Sequence, residues 1–246
     1  MTIDWSNVRV LSFDCYGTLI DWERGILSVL LPWAERAGLG DVSASSEARA
    51  ALGECVLVAF AKAEAAREHE SFRLYPDVLR LVMHDIGRDF SAPVSSADAD
   101  ALATSVGGWP AFPDTPAALK ELKSRFRLVV ASNVDHASLA RTQALLGVEF
   151  DAVITAEDVR SYKPAPGHFD AVESAIAGWG ISRESWVHVA QSLFHDIAPV
   201  GARGVRTVWV DRRAGRAGGA TSPPPAGVRP DITVPDLRTL AQISSA

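Results

Sequence analysis

The sequence contains only two cysteines, Cys15 and Cys55, among its 246 residues. Two cysteines supply neither a disulfide framework nor the paired spacing of a zinc site. No apolar run reaches the roughly 18 residues that span a bilayer, and the first residues lack the basic-then-apolar order of a secretion signal. The formal net charge of -6 argues against broad binding to phosphate backbones. These absences predict a cytoplasmic protein with neither a nucleic-acid nor a membrane partner.

Helical patterns and apolar strands are what the sequence does contain. Residues 20–107 show apolar residues at helical spacing without strand alternation, which predicts an all-helical insert. From residue 108 onwards, helices alternate with continuously apolar strands, which is typical of a parallel sheet covered on both faces. We therefore predict an α/β fold, in which residues 1–19 and 108–246 form a doubly wound parallel sheet. A helical cap domain over residues 20–107 is inserted into it.

The individual elements follow from the same patterns. Strands are predicted at 8–13, 128–133, 152–155, 186–190, 207–211 and 231–234. Helices are predicted at 21–38, 43–69, from 75 onwards, and at 97–105, 115–124, 137–146, 167–178 and 197–202. The glycine- and proline-rich stretch 214–230 is predicted to be a surface loop.

Polar residues follow the ends of four predicted strands, where a buried strand would otherwise be apolar. They are Asp14, Ser132 with Asn133, Lys163, and Ser192 with Asp196. Because ligands bind at the carboxyl ends of the strands in such sheets, we expect these groups to meet at one edge. A lysine beside two acids would keep Asp14 ionised, and Asp196 would hold the lysine. We therefore predict that Asp14 is a nucleophile.

This ordered set resembles the motifs of the haloacid dehalogenase superfamily. Asp14, Gly17 and Thr18 match its first motif, and Ser132 matches its second. Lys163 and Asp196 match its third and fourth motifs. The resemblance covers nearly the whole chain, and it implies a Rossmann-like core with a helical cap inserted after the first strand.

Two positions separate the branches of that superfamily. Its phosphatases place a second acid two residues after the nucleophile, where this chain has Tyr16, and a magnesium-binding acid where it has Gln191. With Lys163 beside Asp14 and Asp196, little negative charge is left to bind magnesium, so we expect no metal and no other cofactor. The segment from Asp14 to Leu19 instead resembles type II L-2-haloacid dehalogenases, which work without metal.

That resemblance implies a catalytic role for each of five residues. Asp14 would displace halide from the α-carbon of a 2-haloalkanoic acid to form an ester, which water hydrolyses to the 2-hydroxy acid. Lys163 would steady Asp14, and Thr18 would hydrogen-bond near it. Ser192 and Asp196 would place the hydrolytic water.

The same resemblance implies a set of substrate-binding residues. Ser132 and the backbone N–H groups of Cys15 and Tyr16 would bind the substrate carboxylate. Asn133 would point at the departing halide. Phe169 stands where the family has a tyrosine.

One family feature has no counterpart in the sequence, and its absence leaves the substrate open. No residue matches the cap arginine that receives halide in the dehalogenases; Lys62, Arg67 and Arg73 are interpreted as solvated cations of a helix face. The same displacement could act on another substrate such as L-azetidine-2-carboxylate, whose strained ring is opened by relatives of these dehalogenases. The chain could also be a magnesium-dependent phosphatase or a non-catalytic ligand-binding relative. The apolar residues of the cap permit a homodimer.

Overall fold

The computed structural model of the chain describes residues 3–41, 43, 45–214 and 226–245. Six strands form one parallel sheet in the order β3-β2-β1-β4-β5-β6. They are β1 (Val10–Phe13), β2 (Arg127–Ser132), β3 (Ala152–Thr155), β4 (Trp186–Ala190), β5 (Arg206–Val210) and β6 (Ile232–Val234). The predicted doubly wound α/β fold is confirmed.

Helices fill the intervals between the strands. The first four are α1 (Trp22–Arg36), α2 (Ser46–Glu68), α3 (Tyr75–Asp89) and α4 (Ser96–Ser105). The others are α5 (Thr115–Lys123), α6 (His136–Leu146), α7 (Ala156–Val159), α8 (Gly167–Gly178), α9 (Ala198–Ala202) and α10 (Leu237–Ile243). In the part of the chain that the structure describes, no helix is long and apolar enough to cross a membrane.

The four cap helices, α1 to α4, all lie between β1 and β2. Side-chain caps fix where two of them begin: Ser45 accepts from the N–H of Ala48 at the start of α2, and Ser95 forms a reciprocal capping box with Asp98 at α4. The cap helices bury apolar side chains such as Phe60 and Leu79. The boundaries at residues 19/20 and 107/108 stay a prediction.

Both connections to the cap helices leave the sheet side by side. Ile20 pairs with Ala111 in an antiparallel bridge, and the N–H of Asp21 donates to the carbonyl of Pro110 over 2.8 Å. The N–H of Phe112 donates to the carbonyl of Leu19 over 3.1 Å. This pairing holds the cap helices beside the end of β1.

The core has two apolar clusters because successive residues of a strand face opposite sides of the sheet. Leu11 and Phe13 of β1 belong to the larger cluster, which the cap helices share, and Val10 belongs to the smaller one. β1 lies between β2 and β4, from which the chain winds in both directions. A residue that follows β1 therefore lies at the switch point, where ligands bind in open α/β sheets.

Most predicted elements are present, with ends that differ by one to three residues. The first strand begins at Val10, whereas the pattern predicted residue 8, and the second cap helix begins at Ser46, after its capping serine. Residues 215–225 of the predicted surface loop lie outside the described residues.

Candidate active site

A tight loop after β1 presents Asp14 at the carboxyl edge of the sheet. The N–H of Asp14 still donates to the carbonyl of Val189 in β4, over 3.1 Å. The carbonyl of Cys15 accepts from the N–H groups of Leu19 (2.7 Å) and Ile20 (3.0 Å), which closes the turn. Gly17 has a φ of +90°, a conformation that side chains with a Cβ rarely adopt. Glycine at this position therefore allows the turn that follows the carboxylate.

Each oxygen of the Asp14 carboxylate accepts a hydrogen bond. The Lys163 ammonium donates to Oδ1 over 2.8 Å, and the Thr18 hydroxyl donates to Oδ2 over 2.6 Å. The Thr18 oxygen in turn accepts from the N–H of Gln191 over 2.9 Å, which fixes the hydroxyl. Burial raises the pKa of Asp14 above its usual value, while the charge of Lys163 and these hydrogen bonds oppose the rise.

Lys163 is completely engaged by three oxygen atoms. Besides Asp14, its Nζ donates to Asp196 Oδ1 over 2.7 Å and to the carbonyl of Ala131 over 3.0 Å. Burial lowers the pKa of Lys163, but the attraction of the two carboxylates outweighs it and raises the pKa above the usual lysine value. For Asp196, burial by itself would raise the pKa of the carboxyl group. The charge of Lys163 and the contact with His188 outweigh this effect and bring the pKa well below its usual value. We infer a fixed cation between two carboxylates.

A chain of buried side chains supports Asp196 from beneath. His188 Nε2 lies 3.1 Å from Asp196 Oδ1, and its Nδ1 lies 2.7 Å from the Ser12 hydroxyl. The indole N–H of Trp186 donates to Ser12 Oγ over 2.6 Å. Because an ionised carboxylate only accepts, we assign the His188 proton to Nε2 and let the Ser12 hydroxyl donate to Nδ1. These hydrogen-bonded side chains orient the Asp196 carboxylate through Oδ1 and leave Oδ2 without a hydrogen bond from the described residues.

Four buried side-chain atoms lack a hydrogen-bond partner within the described protein: Ser132 Oγ, Asp196 Oδ2, Asp135 Oδ2 and His168 Nδ1. Ser132 and Asp196 are each about 1% exposed. His168 lies beside Ser132, and its Nε2 donates to the Ser132 carbonyl over 3.0 Å rather than to the hydroxyl. Burial lowers the pKa of His168 to about 4, so it is uncharged at neutral pH. Buried polar atoms without partners are uncommon, and they indicate where a ligand or water binds.

These groups surround a cavity of about 60 Å³. Its lining comprises Asp14, Tyr16, Trp22, Glu64, Glu68, Tyr75, Ser132, Asn133, Val134, Lys163, Gln191, Ser192, His195 and Asp196. A single water molecule needs roughly 10–15 Å³ of such space, so the cavity suits a ligand of only a few non-hydrogen atoms.

The structure brings together most of the predicted residues, but their contacts differ from the expectation in two cases. The Asn133 carbonyl oxygen accepts from the N–H of Lys163 over 2.7 Å, and its amide donates to Glu68 over 3.2 Å, so Asn133 also ties the Lys163 loop to α2. The Ser192 hydroxyl accepts a hydrogen bond from the backbone N–H of His195 over 2.9 Å, and it is also hydrogen-bonded to Nδ1 of the His195 ring over 3.0 Å. Burial lowers the pKa of His195 to about 4. Both side chains nevertheless face the cavity.

Tyr16 and Cys15 occupy the turn beside the nucleophile. The Tyr16 phenol is hydrogen-bonded to the Thr142 hydroxyl over 2.7 Å, and its ring packs edge-on against Trp109. The side chain of Cys15 is fully buried, and burial raises the pKa of its thiol. Among the described residues, no backbone carbonyl accepts from the N–H of Cys15 or Tyr16.

Phe169 does not line the cavity, contrary to its predicted role in substrate binding. It is fully buried in the smaller core cluster, where its ring packs edge-on against His188 at 5.9 Å. The reason is that α8 turns this position towards the sheet. Phe169 therefore supports the strand beneath the site and does not contact the cavity.

The three cap cations that the sequence singled out are paired with acids outside the cavity. Arg67 donates to both oxygens of Asp85, Lys62 pairs with Asp89, and Arg73 pairs with Glu70. Glu64 and Glu68 of α2 face the cavity instead, and sequence reasoning missed them. Both continue the buried stripe of Val56 and Phe60 at steps of four residues, a signal that could have found them. Within the described ranges, no three His, Cys, Asp or Glu side chains are grouped to hold a metal ion.

Comparison with known proteins gives a family assignment. A family model described as a haloacid dehalogenase-like hydrolase matches residues 8–190. Haloacetate dehalogenase H-2 of Moraxella sp. (strain B) is 31% identical over 135 residues, which cover 54% of this chain and 56% of that relative. The match thus spans about half the length of the curated relative.

Solved structures share the fold over nearly the whole chain. The L-2-haloacid dehalogenase from Xanthobacter autotrophicus has a TM-score of 0.75 at 18% identity, covering 97% of this chain and 99% of that one. A defluorinating L-2-haloacid dehalogenase has a TM-score of 0.72 at 22% identity, covering 97% and 96%. The HAD-hydrolase YfnB from Bacillus subtilis, solved with magnesium, has a TM-score of 0.73 at 16% identity, covering 97% and 99%. Since structures named as L-2-haloacid dehalogenases and one solved with bound magnesium share this fold at similar TM-scores, the fold alone does not select the reaction.

Proposed function

The chain belongs to the haloacid dehalogenase-like hydrolases, and we propose that it is a hydrolase of small 2-haloalkanoic acids that uses Asp14 as a covalent nucleophile. The observation that carries this proposal is the environment of Asp14. Its carboxylate faces a small cavity and is held by Lys163 and Thr18, while Tyr16, two residues later, offers no acid for phosphoryl transfer.

The first step is displacement at the α-carbon of the substrate. An Asp14 oxygen forms a bond to that carbon as the carbon–halogen bond breaks, and the halide leaves with the bonding electrons. The contacts with Lys163 and Thr18 orient the carboxylate before the reaction, so little reorganisation is needed when it attacks. The product of the step is an ester between the substrate and Asp14.

Water then hydrolyses the ester. Its oxygen adds to the carboxyl carbon of Asp14, the ester bond breaks, and the 2-hydroxy acid and one proton are released. Asp196 Oδ2 is free to accept a hydrogen bond from this water because, within the described protein, Lys163 and His188 hold only Oδ1. Lys163 stays beside the ester carbonyl and favours the negative charge that develops on its oxygen.

The substrate carboxylate is assigned to the loop between β1 and α1 and to Ser132. Within the described ranges the Ser132 hydroxyl is unpartnered, and the N–H groups of Cys15 and Tyr16 point to no backbone carbonyl. Three donors of this kind would suit one carboxylate. The departing halide is assigned to the neighbourhood of Asn133, which lines the cavity.

A second candidate is displacement of a ring nitrogen, as in the hydrolysis of L-azetidine-2-carboxylate. It is favoured by the character of the cap wall, which presents Glu64 and Glu68 to the cavity and, among the described residues, no basic side chain. An amine that remains attached to the product needs no halide-binding cation. The nucleophile and the ester intermediate are the same in both candidates.

The proposal is tested by incubating the protein with haloacetates and 2-chloropropionate and measuring halide release with and without a chelator. We expect release that is insensitive to chelator and lost in Asp14→Asn, whose fold is verified by circular dichroism. Release of azetidine-derived hydroxy acid without any halide release would select the second candidate. Hydrolysis of p-nitrophenyl phosphate that depends on magnesium, without either reaction, would refute both.

A further inference from the structure

Helix α2 contributes two carboxyl groups to the wall of the cavity that contains the nucleophile. Glu64 and Glu68 are one helical turn apart, so their side chains lie on the same face of α2. Both line the cavity together with Asp14 and Ser132, and Glu64 is only 8% exposed. Carboxyl groups are rarely buried so far unless something pairs with them.

Neutral donors hold the two acids in place. The Tyr75 hydroxyl of α3 donates to Glu64 Oε1 over 2.5 Å, and the Asn133 amide donates to Glu68 Oε1 over 3.2 Å. Burial raises the pKa of Glu64 to about 7. Burial, and then the neighbouring Glu64, raise the pKa of Glu68 well above its usual value. Glu64 is therefore only partly ionised near neutral pH when the cavity contains no cation, and burial disfavours the ionised form of Glu68 in the same way.

The other charges that face the pair do not neutralise it. Lys163 is the one cationic side chain among the described residues of the lining, and Asp14 and Asp196 already engage it. His195 carries no charge at neutral pH, because burial lowers its pKa to about 4. Tyr162 contributes no charge either, because burial raises the pKa of its phenol. A cation that enters the cavity would thus meet carboxyl groups without a competing counter-ion.

Ser132 supplies an independent sign that a ligand occupies this space. Its hydroxyl is buried, has no partner in the described part of the chain, and belongs to the same lining as the two glutamates. In the proposed function this hydroxyl binds the substrate carboxylate. The cavity thus combines a site for an anion with two acids.

We propose that Glu64 and Glu68 bind a protonated amino group of the substrate, whose carboxylate is bound at Ser132. The preferred substrates are then carboxylates that carry an ammonium group in one of two positions. The ammonium nitrogen is either the ring nitrogen on the α-carbon, whose bond to that carbon breaks as Asp14 attacks, or a substituent of the β-carbon beside an α-halide. The inference rests on the proposed function for the position of the carboxylate. An ammonium ion favours the ionised form of the pair, so its binding releases a proton to solvent.

The test uses inert ligands in two matched pairs, each comparing an ammonium group with a methyl group of similar size. L-Alanine is compared with 2-methylpropanoate for the α-position, and β-alanine with butanoate for the β-position. Dissociation constants are measured by NMR titration at pH 7. In the wild-type protein we expect one ammonium ligand to bind about tenfold more tightly than its partner, as charge-assisted hydrogen bonds do. Calorimetry in buffers of different ionisation enthalpy should show proton release for that ligand alone.

Each of the variants Glu64→Gln and Glu68→Gln should bring the ratio of the two dissociation constants in that pair close to one. Each should also diminish the proton release. Glutamine retains the oxygen that accepts from Tyr75 or Asn133, so the fold is expected to persist. Glu47→Gln, an exposed acid in the first turn of α2, is the control and should retain the preference.

Ser132→Ala separates this inference from the proposed function. We expect it to weaken both ligands of a pair by a similar factor. The ammonium site is wrong if neither ligand pair shows a preference for ammonium, or if the preference persists in both Glu64→Gln and Glu68→Gln. The proposed carboxylate site still stands in that case, provided that Ser132→Ala weakens both ligands of a pair. If Ser132→Ala changes no affinity, the carboxylate site itself is wrong. If none of the four ligands binds, both assignments are refuted.

Discussion

Ser132 and Ser12 are both buried in the sheet, but their hydroxyl groups differ in what they contact. Ser132 Oγ has no partner among the described residues, whereas Ser12 Oγ accepts from the Trp186 indole and contacts His188. Removing a buried polar atom that has no partner costs little, while removing one that satisfies another group leaves that group unpaired. The two serines thus separate a role in binding from a role in stability.

Ser132→Ala is expected to change the free energy of unfolding by less than about 0.5 kcal/mol and to raise KM about tenfold, because a hydrogen bond to the substrate carboxylate is lost. Ser12→Ala should lower the free energy of unfolding by about 1–3 kcal/mol. Urea unfolding and steady-state kinetics on the halide-releasing substrate measure these effects. An equal loss of stability in both variants would contradict the assignment of Ser132 as a ligand group.

The buried His168 makes the stability of the protein depend on pH. Its pKa is lowered to about 4 by burial, whereas an exposed histidine in the unfolded chain titrates near 6.5. Between these values the unfolded chain binds a proton that the folded protein does not. The contribution of the neutral His168 to the free energy of unfolding is therefore fully present above about pH 6.5, and it is lost as the pH drops towards 4. Glu64 acts in the opposite direction, because its raised pKa of about 7 makes the folded protein bind the extra proton.

Comparison with a variant isolates the histidine from the other titrating groups. The stability of the wild type relative to His168→Gln should decrease by up to about 3 kcal/mol as the pH falls from 6.5 to 4. Glutamine can still donate to the Ser132 carbonyl, so the variant is expected to fold. The measurement is urea unfolding at a series of pH values. Parallel curves for the two proteins would exclude a buried neutral His168.

At the scale of secondary-structure elements, two glycines in the cap helices have opposite surroundings. Gly25 of α1 lies directly against the Trp109 ring, which an added Cβ would overlap. Gly53 of α2 has room, since an added Cβ would lie 3.5 Å from the nearest atom of Leu27. The close approach at Gly25 brings α1 onto Trp109, whose ring also packs against Tyr16 beside the nucleophile.

Gly25→Ala should lower the free energy of unfolding by about 1–3 kcal/mol through overpacking, and it should reduce turnover by displacing Tyr16. Gly53→Ala, the matched control, should raise stability by up to about 1 kcal/mol because alanine is the better helix former. Thermal unfolding and halide release measure both effects. Should the two substitutions act alike, the contact between α1 and Trp109 is not what positions the first cap helix.

Across the whole molecule, the sequence predicts the sheet and its charged edge well for a physical reason. The strands are mainly apolar, and the charged residues Asp14, Lys163 and Asp196 follow strands rather than lie within them, so they are conspicuous in the sequence. Parallel strands then bring these ends to one edge, and the structure places the three side chains within direct hydrogen-bond distance.

The cap wall was not predictable in the same way. Helix α2 is rich in alanine and charged residues, and most of its acids and bases face solvent, so Glu64 and Glu68 do not differ locally from surface residues. Only their position on the stripe of Val56 and Phe60 distinguishes them, and the surface that this stripe meets depends on the tertiary fold. Phe169 is the opposite case, a residue that was predicted to face the substrate and is buried in the core. Its match to a family position does not reveal which way the side chain of its helix faces.

The account depends on Asp14 becoming covalently attached to the substrate, and a single turnover in heavy-oxygen water tests this directly. With enzyme in excess over 2-chloropropionate, water attacks the carboxyl carbon of the aspartyl ester. One heavy-oxygen atom should therefore enter the peptide that contains Asp14, while the first 2-hydroxypropionate carries none. Mass spectrometry of that peptide and of the product measures both. If the label is found in the product and never in the peptide, water attacks the substrate directly and Asp14 is not the nucleophile.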